Sequence, residues 1–169
     1  SFALSVAVQE LGLPFYNHLE SLLAETDNGT IRRRLLIGMS AAVLPELSTR
    51  LLDIVISTDT RINEKAILIF GQLDMKETQD SAYAWVKDKY RVLALILPEQ
   101  YLAYAPMVGS DFCSASQLED MRDFFKDEIK PGSGAERNMA KVTELITNCS
   151  TLKASISGLS IPVVGETSQ

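Results

Sequence analysis

Apolar side chains recur along this chain at intervals of three and four, with polar residues between them. That spacing is the period of an amphipathic helix, and strand-like alternation is nowhere sustained. The first predicted helix covers residues 2–11, with Phe2, Val6 and Leu11 as its buried stripe and Gly12 ending it. Pro14 suits the first turn of a second helix, which buries Phe15, Leu19, Leu22 and Leu23 and stops near Thr26-Asp-Asn-Gly29. A third runs from about Thr30 to Val43 on Ile31, Leu35, Met39 and Ala42. Pro45 begins a fourth, with the stripe Leu47, Leu51, Ile54 and Val55; Thr58-Asp-Thr60 is a link with capping chemistry. The fifth, 62–73, presents Ile62, Ala66, Ile67, Ile69 and Phe70.

The second half reads in the same way. Tyr83, Val86, Tyr90, Leu93 and Leu97 repeat along a longer helix over 77–97. Pro98 ends it and starts a short helix through Tyr101, Leu102 and Met107, which Gly109 breaks. Ser114-Ala-Ser-Gln117 has the form of a capping box, with Gln117 returning to the cap amide. The stripe Leu118, Met121, Phe125 and Ile129 comes directly after it. Lys130-Pro-Gly-Ser-Gly134 is a turn. A last helix over 135–156 places Met139, Val142, Ile146 and Cys149 on one face. The chain is thus expected to be all-α, with about eight or nine short antiparallel helices. No exact repeat exists, yet successive helix pairs cannot bury their own apolar faces and must stack. That is the shape of an α-α superhelix, a HEAT-like solenoid. Residues 1–158 are read as one solenoid domain, and the Ser, Pro, Val, Gly and Thr of 159–169 as a flexible tail.

Composition narrows the function. The chain has 169 residues, 16 Lys plus Arg, 22 Asp plus Glu and a formal net charge of −6. There is no basic excess of the kind a nucleic-acid surface needs. Hydrophobic residues make up 46%, enough for a packed core. His18 is the only histidine, which excludes a two-histidine zinc helix and a three-histidine site. Cys113 and Cys149 are the only cysteines, so no four-cysteine zinc site can form. Both lie in apolar helical surroundings, where inert packing is the expected state; they could also make one disulfide, or serve a thiol-dependent enzyme. No segment has the length of a membrane span, and the start lacks the form of a cleavable signal peptide. Ser1 leads into an apolar segment without an initiating Met, as in a piece of a longer chain. The triplets Asn28-Gly-Thr30 and Asn148-Cys-Ser150 match the N-glycan acceptor pattern, and both are read here as chance matches. With no disulfide pattern evident, a cytoplasmic location is expected.

Three constellations stand out. Arg32, Arg33 and Arg34 lie near a helix start; as a solvated face they would pair with Glu25, Asp27 or Asp53. Alternatively they form a basic patch for a peptide carboxylate or an adjoining domain, with Arg61 as a further candidate. Glu119, Asp120, Asp123, Asp127 and Glu128 alternate with Arg122, Lys126 and Lys130 as a solvated helix face. Trp85, Tyr83 and Tyr90 fit a core, whereas Tyr101 and Tyr104, between Pro98 and Pro106, are the expected exposed aromatics.

The order of segments also carries a resemblance. Ser81-Ala-Tyr-Ala-Trp-Val-Lys-Asp-Lys-Tyr90 resembles the "A-W-x-F-x-x-x-N-W" helix in the C-terminal domain of zinc aminopeptidases of the aminopeptidase-N, puromycin-sensitive and endoplasmic-reticulum type. Phe112-Cys-Ser-Ala-Ser-Gln-Leu-Glu-Asp-Met-Arg-Asp-Phe-Phe125 is similar to that family's "F-S-T-x-x-x-L-x-E-V-x-x-F-F". Lys130-Pro-Gly-Ser-Gly-Ala-Glu-Arg137 and Glu144-Leu-Ile-Thr-Asn148 resemble its last link and helix. Upstream, Arg32-Arg-Arg-Leu-Leu-Ile-Gly-Met39 and the segment from Pro45 to Ile56 are similar to its "R-R-x-L-L-x-A-L" and "P-x-L-x-x-x-L-L-D-L" helices. Tyr83 and Tyr90 stand where tryptophans are usual, and Phe70-Gly-Gln-Leu73 departs from a small-residue segment.

The resemblance implies a division of labour. The family's zinc helix, its glutamate ligand and its peptide-amine motif lie in an upstream catalytic domain, and none occurs here. This chain is then expected to be a non-catalytic lid and scaffold that removes no residue itself, with no cofactor of its own and zinc in the parent enzyme. Its partners would be the upstream catalytic domain of the same polypeptide and peptide substrates, with no nucleic acid and no membrane. Arg32, Arg33, Arg34, Arg61, Tyr101 and Tyr104 are the candidate peptide-carboxylate or inter-domain contacts. The alternative is a free-standing α-solenoid adaptor that binds a peptide or protein in its concave face.

Overall fold

A computed structural model describes residues 2–157. Within them the chain forms nine α-helices and one 3-10 turn, with no strand. The helices are α1 (Phe2–Leu11), α2 (Leu13–Glu25), α3 (Gly29–Met39), α4 (Pro45–Ile56) and α5 (Ile62–Leu73). Then come α6 (Gln79–Ile96), α7 (Glu99–Leu102), the 3-10 turn (Ala105–Gly109), α8 (Ala115–Phe125) and α9 (Ala135–Ser157). Packing is between near neighbours: α1 and α2 on α3, α3 on α5, α4 on α5 and α6, α5 on α6 and the 3-10 turn, and that turn on α8 and α9. Stacked helix pairs of this kind bury one continuous core, which is the superhelical architecture the periodicity predicts. No described helix is long and apolar enough to cross a membrane. The tail expected over 159–169 lies outside the described residues.

Local chemistry sets the element boundaries. Gly12 adopts φ 60°, a conformation that glycine takes without strain, and hands the chain to Pro14 in the first turn of α2. Asn28 caps α3, its Oδ1 accepting from the amides of Thr30 (3.0 Å) and Ile31 (3.2 Å). Ser114 caps α8, its Oγ accepting from Gln117 N at 3.2 Å. The return arm of this box differs from expectation: Gln117 Oε1 accepts from the amide of Cys113 (3.1 Å), one residue before the cap. Gly132 and Gly134 carry φ of 80° and 84° in the turn before α9.

The core keeps most of the predicted stripes. Leu47, Leu51 and Val55 on α4, Tyr83, Val86, Tyr90 and Leu93 on α6, and Leu118, Met121 and Phe125 on α8 are all buried. Each fully buried side chain of this kind contributes about 2 kcal/mol of apolar burial. Three aromatic contacts tie α6 to the segment 112–125: Tyr83 meets Phe112 edge-on at 4.9 Å, and Tyr90 meets Phe124 at 5.4 Å and Phe125 at 5.9 Å. Such contacts add to area burial. Gly109 is needed for this closure, because a Cβ there would collide with Met121 Sδ.

Four expectations are corrected. On α1 the buried residue is Val8, while Phe2 is 82% exposed and Val6 and Leu11 also face outward. The helix is apolar on both faces, and only the Val8 face meets α2 and α3. Leu22, Ile31 and Ile62 are likewise exposed, because the buried faces of α2, α3 and α5 carry Tyr16, Arg32 and the pair Glu64–Lys65 instead. The short helix after Pro98 is two pieces, α7 and the 3-10 turn, parted at Ala103-Tyr104. Finally, the cysteines are not inert thiols. Cys113, just before α8, is joined to Cys149 on α9, with a Cα–Cα distance of 5.1 Å. That bond removes the ground on which a cytoplasmic location was expected.

Candidate functional site: an apolar cavity beside Tyr101 and Tyr104

α5, α6, α7 and the 3-10 turn enclose a cavity of about 430 Å³. Its walls include Ile69 and Phe70 from α5, Val86 and Leu93 from α6, and Met107. Tyr101 and Tyr104 also line it, and Tyr104 is 61% exposed. The sequence builds this shape at Pro98, which cannot continue α6. Its extended backbone (ψ 150°) starts α7, and Pro106 then fits the first turn of the 3-10 segment. The chain therefore doubles back and leaves a gap over α5. Pockets of this size and apolarity suit an apolar side chain or small ligand.

One charged residue borders the cavity. Lys65 is buried, and its Nζ donates to Val55 O and to Ser57 O (2.8 Å) at the end of α4. Burial lowers its pKa, against an opposing pull from the Glu64 carboxylate. The amine satisfies carbonyls that α4 leaves without helical partners. Tyr90 forms the opposite wall, and burial raises the pKa of its phenol. Nothing here is a nucleophile with an adjacent base.

The predicted arginines lie elsewhere, and none lines this cavity. Arg32 makes a two-pronged pair with Glu64, Nε to Oε1 at 2.7 Å and Nη2 to Oε2 at 2.8 Å. Its Nη1 donates to Leu23 O (3.1 Å) and Thr26 O (3.2 Å). Its partner is thus Glu64, not Glu25, Asp27 or Asp53. Arg61 donates to Asp27 O at 3.0 Å and lies 4.0 Å from Glu64. Arg33 and Arg34 are exposed and form no ion pair among the described residues. The charged face of α8 is solvated as predicted; Lys87 reaches Asp120 at 2.7 Å from the neighbouring α6.

The structure brings Tyr101 and Tyr104 to one place and keeps the arginine group apart from them. Sequence reasoning misses Lys65, because a lysine beside Glu64 reads as a surface residue. No local pattern reveals that it faces the end of α4. Among the described residues no three His, Cys, Asp or Glu side chains converge to hold a metal ion.

A stacked-helix arch with an apolar pocket defines a class: an all-α superhelical domain. Comparison with known families makes it particular. The family described as "ERAP1-like C-terminal domain" matches residues 1–148. The chain belongs to that family, and is therefore a domain of an aminopeptidase, whose catalytic domain is part of the same polypeptide. No curated protein matches the chain.

Proposed function

We propose that this chain is the non-catalytic lid and scaffold of a zinc aminopeptidase. In this reading it bounds the chamber that receives peptides, excludes long or folded chains, and contacts the substrate away from its amino terminus. Zinc and the hydrolytic step belong to the catalytic domain. The observation that carries the reading is the family match over residues 1–148, laid on a stacked-helix arch. The apolar cavity at Tyr101 and Tyr104 has the size and lining to take an apolar peptide side chain.

The test uses the full-length enzyme carrying Tyr104→Ala. Tyr104 is mostly exposed, so the change leaves the fold intact. The KM for peptides long enough to reach the cavity should rise several-fold. Turnover of a single-residue aminoacyl amide should stay as it was. Equal effects on both substrates, or none on either, would overturn a role in holding peptides. The chain alone, with added zinc, should cleave no aminoacyl amide; activity that survives removal of contaminants contradicts the non-catalytic reading.

A further inference from the structure

Two features left aside by the aminopeptidase reading belong together: the disulfide and the acceptor triplet at Asn28. Both cysteines of the chain are consumed in the Cys113–Cys149 bond, and no free thiol remains. Structural disulfides persist in oxidising compartments and are rare in the cytosol. One such compartment, the endoplasmic reticulum, also holds the machinery that glycosylates Asn-x-Ser/Thr. The triplets read from the sequence as chance matches then become real candidates.

The two triplets differ sharply in geometry. Asn28, Gly29 and Thr30 are all exposed; Asn28 caps α3 and the other two form the start of its first turn. Asn28 has extended backbone (φ −67°, ψ 110°). Its Oδ1 is engaged, accepting the Thr30 and Ile31 amides, while Nδ2 donates to no described group. A sugar attaches through that idle nitrogen. The carbonyl oxygen is untouched, so the cap of α3 survives modification. Asn148, by contrast, lies inside α9, its central neighbour Cys149 is half of the disulfide, and the Ser150 hydroxyl donates to Thr147 O at 3.0 Å.

We propose that Asn28 is an N-glycan attachment site and that Asn148 is not. In the transfer, Nδ2 forms a bond to the anomeric carbon of a lipid-linked oligosaccharide diphosphate. The bond from that carbon to the diphosphate oxygen breaks, the lipid diphosphate leaves, and one amide proton is given up to base. No oxidation or reduction is involved. The adjacent Asp27 carbonyl holds Arg61 at 3.0 Å, so the glycan keeps the Asp27–Arg61 edge in solvent.

The test is made on the full-length protein, produced in a eukaryotic secretory host and purified without reductant. Peptide mapping after glycosidase treatment in heavy-oxygen water reads each site, since a released glycan leaves a labelled aspartate. Labelled aspartate is expected at position 28 and unlabelled asparagine at 148. Thr30→Ala removes the acceptor pattern while sparing the Asn28 cap, and should abolish the label at 28. Thr30→Ser should keep it, and Asn148→Gln should change nothing. The proposal is overturned by an unmodified Asn28 in the secreted protein, by a glycan on Asn148 alone, or by recovery of Cys113 and Cys149 as free thiols.

Discussion

The two halves of the arch are held together by different chemistry. Between α3 and α5 a polar seam runs through the packing of Leu35, Leu36, Met39, Leu68 and Leu73. Gln72 is fully buried, accepts from the Ser48 hydroxyl, and donates to Ser40 O (2.8 Å) and Ala42 O (2.9 Å). The Arg32–Glu64 pair and Lys65 continue this seam. Gly71 lets the helices close on it, since a Cβ there would collide with the Ser40 side chain. From α6 to α9 the inner surface is aromatic and aliphatic, and one disulfide ties loop to helix. The difference teaches where specificity comes from. A buried, satisfied polar group tolerates one register only, because any slip leaves charges or carbonyls unpaired. An apolar face tolerates small shifts, and there the covalent bond fixes the register.

The sharpest way to break this contrast is to remove each half's own fastening. Replacing Cys113 and Cys149 by Ser should destabilise the chain by about 4 kcal/mol. That is the chain-entropy expectation for a loop closed between cysteines 36 positions apart. Urea melts under non-reducing conditions would measure it, and a loss below about 1 kcal/mol would mean that packing alone sets the α8–α9 register. Arg32→Ala leaves the buried Glu64 carboxylate with only the Arg61 amide (3.1 Å) and the Arg61 guanidinium 4.0 Å away, and should cost about 3 kcal/mol. If Arg32→Ala melts like the parent, the polar seam is not what fixes α3 on α5.

The same pair gives a pH signature. Hydrogen bonding from Arg32 holds the Glu64 carboxyl below its ordinary range, against the opposing effect of burial. Its folded pKa lies under its unfolded value of about 4.3, so its stabilisation is complete above that pH. It is lost as pH falls through the folded value. Acid melts of Glu64→Gln should lack this component. A smaller effect, about 1 kcal/mol, is expected for Ser114→Ala, which deletes the α8 cap and leaves the seam alone.

The gentlest probe lies where the halves meet. Asp74, at the end of α5, has its pKa raised to about 6 by partial burial and by sharing a hydrogen bond with Asp111. Repulsion between them sets in as pH rises from about 4 toward that value, so this contribution opposes folding above it. Carboxyl NMR titration should show Asp74 returning toward the ordinary range in Asp111→Asn. A midpoint that stays put would assign the shift to burial alone.

The apolar half is the legible one. Tyr83, Val86, Tyr90 and Leu93, and Leu118, Met121 and Phe125, fall at helical spacing, and the structure buries them all. Tyr101 and Tyr104 stand out through their flanking prolines, and both border the cavity. The seam is not legible. Arg32 and Glu64 are 32 residues apart, and charged residues on a helix read as solvated until a distant partner comes into view. Ile62 draws the predicted stripe of α5 away from Glu64, Leu68 and Gln72, which face inward. The cavity itself exists only after the 3-10 turn has folded back over α5, and no local pattern signals that.

The disulfide also has a mechanical meaning. Neighbour-only stacking makes the arch a series of weak joints, each able to yield under load without its neighbours. A pull applied along the chain would extend everything up to Cys113 and then pass through sulfur to Cys149. The stretch between those cysteines, 36 positions apart and roughly 120 Å of contour, would bear no tension at all. It contains all of α8 and α9 up to Cys149, which would stay coiled as a sheltered knot while the helices before it were drawn out.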